Sequence, residues 1–255
     1  MIEVKSLSKT FNQKDGTMFK AVDGLSFTAE DGQIVCLLGV NGAGKTTTMR
    51  VLSTIFLPSA GTASINGWDI LTHPQKVREN LGFLSGDTGL YNRLTGREFI
   101  TYFGRLYGLD EGRIKYQIRQ MANLLDMHDF IDKKIDFMSS GMKQKVSIVR
   151  SIIHDPQVMI FDEPTSGLDI LTARNIITFI RECKNQGKCV LFSTHIMREA
   201  ERIADKIVMI HKGGLLAEGT LEELRADTGQ TDLDDIFVSY INRQNTEAEV
   251  MAHEF

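Results

Sequence analysis

The sequence predicts an α/β chain with a mixed sheet core, an antiparallel β region at the N-terminus and an inserted helical subdomain. Three patterns predict it. Short continuous apolar runs at 34–38, 158–161, 189–193 and 207–210 alternate with helical patterns, as in a sheet covered on both faces. Alternation of apolar and polar residues at 2–4 and 25–27 marks half-exposed strands before the first of those runs. From 95 to 154 the apolar residues instead recur at helical spacing, which places a helical insertion between two parts of the sheet.

In chain order, 2–4, 21–22 and 25–27 read as short strands and 34–38 as a buried one. Residues 39–46 read Gly-Val-Asn-Gly-Ala-Gly-Lys-Thr and match the phosphate-binding pattern G-x-x-x-x-G-K-[ST]. A helix expected over 47–57 gives that loop the strand-to-helix setting the pattern needs. Turns at 59–62 and 66–67 flank a strand at 63–65, and 81–84 is another short buried strand. Thr95-Gly96-Arg97-Glu98 fits a capping box that opens a helix carrying Phe99, Tyr102, Phe103 and Leu106. Ile114, Ile118, Met121, Leu124 and Leu125 continue the helical spacing over 110–125. After the strand at 158–161 come a helix at 171–185, a strand at 189–193, a helix at 198–204 and a strand at 207–210. Beyond Asp227 the composition turns polar; Leu233, Ile236, Phe237, Tyr240 and Ile241 predict one short amphipathic helix, and 242–255 a mobile tail. The expected organisation is one domain over 1–226, its helical subdomain inserted at about 88–154, followed by a helix and tail over 227–255.

Composition narrows the function classes. A net charge of −4 and a pI near 5.9 argue against a general nucleic-acid binder. Cys36, Cys183 and Cys189 form no C-x-x-C pair and suggest no metal site, and an apolar Cys36 fits a reducing cytosol. The N-terminus lacks a secretory pattern, and nowhere do about 18 apolar residues run together as a membrane span requires. The chain is therefore expected to be soluble by itself, with any transport path supplied by another polypeptide.

In open α/β sheets, ligands collect beyond the carboxyl ends of the strands. Three strands deliver polar groups to that edge: the one before Gly39, the one ending in Asp162-Glu163 and the one ending in Ser193-Thr194-His195. Gly39, Gly42 and Gly44 let the loop backbone wrap closely around phosphate, Lys45 reaches the β/γ-phosphates and Thr46 holds Mg²⁺. Asp162 is placed to help hold the metal, and Glu163, one residue on, to polarise an attacking water. Ser139-Ser140-Gly141 put hydroxyls and free N–H groups at a helix start; alone they read as an ordinary cap or as a second anion site. Phe11 reads either as a packing aromatic or as a platform for a nucleobase.

Together these motifs, in this order, resemble the ATP-binding-cassette (ABC) ATPases, a subgroup of P-loop NTPases, from Ile2 to about Arg225. The family's signature, usually Leu-Ser-Gly-Gly-Gln, is matched by Met138-Ser139-Ser140-Gly141-Met142. The resemblance implies ATP and Mg²⁺ as cofactors and an ATP cradle of Gly39, Asn41, Gly42, Ala43, Gly44, Lys45, Thr46 and Thr47. It makes Phe11 the adenine-stacking aromatic, Thr46 and Asp162 the Mg²⁺ ligands, Glu163 the catalytic carboxylate, His195 the switch histidine and Asp169 the D-loop aspartate. It also implies a head-to-tail homodimer in which Ser139, Ser140 and Gly141 of one copy close the ATP site of the other.

The stretch 81–91 is similar to the ATPase subunits of two-component bacterial sodium exporters of the NatA type. That implies a motor working with a separate integral membrane permease at the cytoplasmic face of the membrane, with Phe99, Tyr102, Phe103 and Tyr107 as candidates for the docking groove. The alternative is a soluble cassette ATPase acting on nucleic acid or ribosomes, which usually carries two cassettes or a long coiled coil; neither is visible. One departure stands out. Where the family carries a glutamine after strand 81–84, this chain has Gly86, followed by Asp87, and a water or backbone carbonyl is expected in the glutamine's place rather than Asp87 on the metal.

Overall fold

A computed structural model describes residues 1–86 and 89–253, with side chains described as far as residue 246. The chain opens with β1 (Ile2–Asn12) and β2 (Met18–Ala29), long antiparallel strands whose register shifts several times. β3 (Ile34–Leu38), α1 (Lys45–Leu52), β4 (Ala60–Ile65), β5 (Trp68–Asp69), α2 (Pro74–Asn80) and β6 (Leu81–Leu84) follow. Then come α3 (Gly96–Leu106), α4 (Glu111–Leu124) and α5 (Ser140–Ile152), and after them β7 (Val158–Asp162), α6 (Ile170–Asn185) and β8 (Cys189–Thr194). The chain finishes with α7 (Met197–Ile203), β9 (Lys206–His211), β10 (Gly214–Gly219), α8 (Leu221–Thr228) and α9 (Leu233–His253).

Among the described residues the strands form two sheets. One is antiparallel, in the order β2-β1-β4-β5; the other runs β10-β9-β3-β8-β7-β6, parallel except for β10 at its edge. The mixed sheet explains the continuous apolar runs. Ile34, Cys36, Leu38, Met159, Phe161, Val190 and Phe192 pack on the face covered by α5, α6 and α7, whereas Val35, Leu37, Val158, Ile160 and Leu191 pack toward β1, β2, β4 and α1. Successive residues point to opposite faces, so burial of both faces demands apolar side chains at every position. β3, β8 and β7 are neighbours, with Leu38 paired to Thr194 and Asp162 to Ser193, so their carboxyl ends finish level at one edge.

Several elements end elsewhere than the sequence predicts: the short strand expected at 2–4 runs on to Asn12, those expected at 21–22 and 25–27 are one strand, β2, and two helices end at other residues. The helix expected over 47–57 stops at Leu52, because Thr54 takes a left-handed conformation (φ 61°) and lets Thr54 N–H reach Val51 O and Ile55 N–H reach Arg50 O. That is the hydrogen-bond pattern of a Schellman cap, ordinarily built on glycine, and a threonine in its place gives no sequence signal. At the other end, α9 does not stop before Asn242 but continues to His253. No Gly or Pro interrupts 233–253, and Arg243 anchors the second half by donating to Asp227 Oδ2 (2.6 Å) and Asp227 O (2.9 Å).

All three cysteines are buried and unpaired; burial pushes the Cys183 thiol up to about 12 and that of Cys189 to about 11, so both stay protonated and unreactive at neutral pH. His154, after α5, stacks on Tyr107 (3.8 Å, 8°) with Nε2 3.2 Å from Leu81 O, and burial pushes its pKa down to about 4. Unfolded, it titrates near about 6.5. Between those values only the unfolded chain holds the proton, so this group's contribution to stability is complete above about pH 6.5 and is lost as pH falls toward 4. His154→Phe is expected to flatten that limb of a Tm-versus-pH curve; a slope equal to that of the unmodified chain contradicts the assignment.

Candidate active site

The loop between β3 and α1 is pressed against its neighbours on two sides. A Cβ on Gly44 (φ 107°) lies 2.4 Å from Ala21 O, and one on Gly39 lies 2.5 Å from Ile210 O, so neither position has room for a side chain. Gly213 N–H donates to Ala43 O (3.0 Å), tying the loop to the β9–β10 turn. α1 starts directly at Lys45 with no acidic residue in its first turn and no side-chain cap, leaving its first N–H groups to an external anion.

Lys45 is only 5% exposed, and its Nζ donates to Gly39 O (2.8 Å) and Val40 O (3.3 Å) and sits 3.3 Å from Glu163 Oε1. A buried ammonium needs this compensation. Asp162, the last residue of β7, accepts from Ser193 Oγ (2.7 Å), and the same Oγ accepts from Glu163 N–H (2.9 Å). One hydroxyl therefore fixes the carboxylate of Asp162 and the backbone of Glu163. That backbone is in the left-handed region (φ 47°), which costs a non-glycine residue about 1–3 kcal/mol and persists only where the surroundings hold it. The turn aims the Glu163 carboxylate at both Lys45 Nζ and His195 Nδ1, the latter 3.2 Å from Oε1.

Two adjoining clefts share Thr46 and Glu163. One, of about 340 Å³, is lined by Thr46, Arg50, Gly86, Gln144, Asp162, Glu163 and Ser166; the other, of about 210 Å³, by Phe19, Ala21, Asn41, Gly42, Gly44, Lys45, Thr46, Thr47 and Glu163. A hydroxyl (Thr46) and a carboxylate (Asp162) at one polar cleft are the hard oxygen donors that suit Mg²⁺ completed by phosphate oxygens and water. The cluster presents an anion cradle, a cation for phosphate and a carboxylate beside a histidine for moving a proton.

Phe11 lies in β1. Its ring meets Phe56 edge-on (5.6 Å) under Lys9 Nζ, and the aromatic lining the loop cleft is Phe19, its cross-strand partner, which is 48% exposed. Directly opposed residues of antiparallel strands share a face, so Phe19 is the side chain that sequence reading missed. Gln144, which donates to Pro164 O (2.8 Å), was missed as well; Ser193 was placed at this edge, but not its bonds to Asp162 and Glu163.

Ser139, Ser140, Gly141 and Asp169 line neither cleft. They form a second group: Ser139 caps α5, Asp169 caps α6, and Gly141 packs on Thr172, where a Cβ would lie 2.9 Å from Cγ2. The Asp169 carboxylate accepts from Thr172 N–H and Thr172 Oγ1 and from Leu171 N–H, and these bonds hold its pKa below the usual carboxylate range. Beside this group Phe137, Ile170 and Leu171 are strongly exposed, Ile170 by 85%.

Of the four aromatics assigned to a docking groove, Phe99 is fully buried core, a correction that follows from its place on the inner face of α3. Phe103 and Tyr107 line a groove of about 210 Å³ with Ile55, Leu81, Phe83, Arg78 and Arg150, and Tyr102 is exposed. Gly86 lines the larger cleft, whereas Asp87 lies outside the described residues.

A strand–loop–helix phosphate cradle facing an acidic strand end defines a P-loop nucleotide-hydrolysing enzyme. Comparison with known proteins sharpens the class. The ABC transporter family model matches residues 22–166, more than half of the chain. The ABC transporter ATP-binding protein NatA of Bacillus subtilis (strain 168) is 41% identical over 95% of this chain and 99% of its own length. The daunorubicin resistance ATP-binding protein DrrA3 of Streptomyces coeruleorubidus is 35% identical over 91% of this chain and 72% of its own. Among solved structures, the ATP binding subunit of an ABC transporter superposes with a TM-score of 0.85 at 31% identity, covering 94% of this chain and 99% of the other. The dimeric, post-hydrolysis ATP-binding cassette MJ0796 bound to ADP and Pi superposes at 0.78, with 20% identity, 86% of this chain and 98% of the other, a likeness of fold alone. The chain belongs to the ABC transporter ATP-binding family and is an ATPase of that class.

Proposed function

We propose that this chain is the motor subunit of a two-component membrane exporter, hydrolysing MgATP in a site completed by a second copy of itself. The observation that carries the reading is the division of the motifs into two groups: Lys45, Thr46, Asp162, Glu163 and His195 meet around the clefts, while Ser139, Gly141 and Asp169 line neither. Two-fold pairing brings each signature group onto the other copy's cradle with no further component. The exposed Phe137, Ile170 and Leu171 beside that group fit burial in such an interface.

Thr46 and Asp162 hold Mg²⁺ in this reading, and the metal supplies charge neutralisation at the β/γ-phosphates. Lys45 binds the same phosphates. Glu163 takes the proton of the attacking water, with His195 orienting it, and Phe11 or its cross-strand neighbour Phe19 stacks on the base. The site adjoins the cytoplasmic face of the membrane through the groove of Phe103 and Tyr107, which receives an apolar segment of the permease. Among the described residues no helix is long and apolar enough to cross a membrane, which supports a separate permease as the transport path. Export of sodium is the substrate reading, resting on the resemblance to the NatA type.

Affinity purification from detergent-solubilised membranes of the source cell tests this. An integral membrane protein is expected to co-purify, and the purified chain alone in liposomes is expected to move no solute. Recovery of RNA or DNA without a membrane protein, or solute flux from the chain alone, contradicts the motor reading.

A further inference from the structure

His195 has one described side-chain partner, Glu163, and the two reach each other from loops that follow different strands. Ser193 ties the strands only as far as their last residues, by its bonds to Asp162 and Glu163 N–H. Beyond the strand ends a second carboxylate, that of Glu199, also joins the loops. Thr165 Oγ1, two residues after Glu163, donates to Glu199 Oε1 (2.6 Å), and Thr194 Oγ1, one residue before His195, donates to Glu199 Oε2 (2.7 Å). Both hydroxyls are buried, and Thr194 Oγ1 also accepts from Ile196 N–H (3.0 Å), which sets the turn that carries His195. Glu199 itself stands in the first turn of α7, where the N-terminal end of the helix favours a negative charge.

We infer that Glu199 is a positioning residue for ATP hydrolysis: its two oxygens clamp the Glu163 loop to the His195 loop and so set the separation of those two side chains. Hydrogen bonds to an ionised acceptor are about twice as strong as neutral ones, so the clamp is stiffer than a threonine–threonine contact would be. Among the described hydrogen bonds none joins Glu199 to Lys45 or the glycine loop, and so the clamp acts on the chemical step and not on nucleotide capture. The inference rests on Glu163 as the general base. It fails separately from that assignment, which Glu163→Gln tests alone.

The measurement is single-turnover MgATP hydrolysis together with ATP affinity, on the full chain. Glu199→Ala is expected to lower the hydrolysis rate by about 10–100-fold while ATP affinity stays within about threefold, the split expected of an interaction that matters only in the transition state. Glu199→Gln, which keeps one carbonyl oxygen for a threonine hydroxyl, is expected to recover part of the loss. In a Glu163→Gln background the same change at 199 is expected to alter the residual rate by less than about threefold, because residues acting as one unit are not additive. Should Glu199→Ala not fold, Glu199→Gln in the two backgrounds gives the same comparison. A rate within about twofold of the unmodified chain, a parallel loss of ATP affinity, or an equal loss in both backgrounds overturns the inference.

Discussion

Glu163→Gln is expected to lower the rate of ATP hydrolysis by about 10²–10⁴-fold, the range that a positioned general base contributes, and to leave ATP binding intact. The amide keeps the shape of the side chain but accepts no proton. The backbone that presents it is independent of that change: Ser193 Oγ still holds the Glu163 N–H, and Ser166 N–H still donates to Glu163 O (3.2 Å). Lys45 retains its carbonyl partners, Gly39 and Val40, so the phosphate cradle is undisturbed. Single-turnover assays with labelled ATP measure the rate, and equilibrium titration the affinity. A rate within tenfold of the unmodified chain, a difference of only about 1.4 kcal/mol in the barrier, would place the base elsewhere.

Lys45→Ala is expected to act on binding instead. The Lys45 ammonium is the buried cation of the loop cleft, and a hydrogen bond to a charged group contributes about 1.5–3 kcal/mol, or about 10–150-fold in affinity for MgATP. The substitution also deprives Glu163 Oε1 of its ammonium partner and frees the carbonyls of Gly39 and Val40, so hydrolysis should fall further than affinity alone dictates. Calorimetric titration of the variant, with its melting temperature as a folding control, checks this. Unchanged affinity in a folded variant contradicts the placement of phosphate at this loop.

The parts legible in the sequence were those whose physics is local. Burial on both faces forces continuous apolar runs in β3, β7 and β8, and the loop at 39–46 places Gly39 and Gly44 where Ile210 O and Ala21 O exclude a Cβ. The cap at Thr95 is likewise present with both its hydrogen bonds. What could not be read depends on pairings between distant residues of ordinary type. Ser193 serves Asp162 and Glu163 from about thirty residues away, Glu199 serves Thr165 from α7, beyond the whole of α6, and no spacing rule predicts either pairing. Phe19 faces the cleft because of its register with Phe11, and register across a bulged hairpin is not written in periodicity. Polar composition after Asn242 suggested a tail, but helix formers such as Arg243, Gln244 and Glu247 are polar too, and α9 runs on through them.

The central claim is that the ATP site is assembled from two copies of this chain. Light scattering during size exclusion of the Glu163→Gln variant tests it most directly, run with and without saturating MgATP. The account predicts a monomer without nucleotide and a dimer with it, retaining ATP in both sites. A variant that binds MgATP to saturation yet stays monomeric would contradict it.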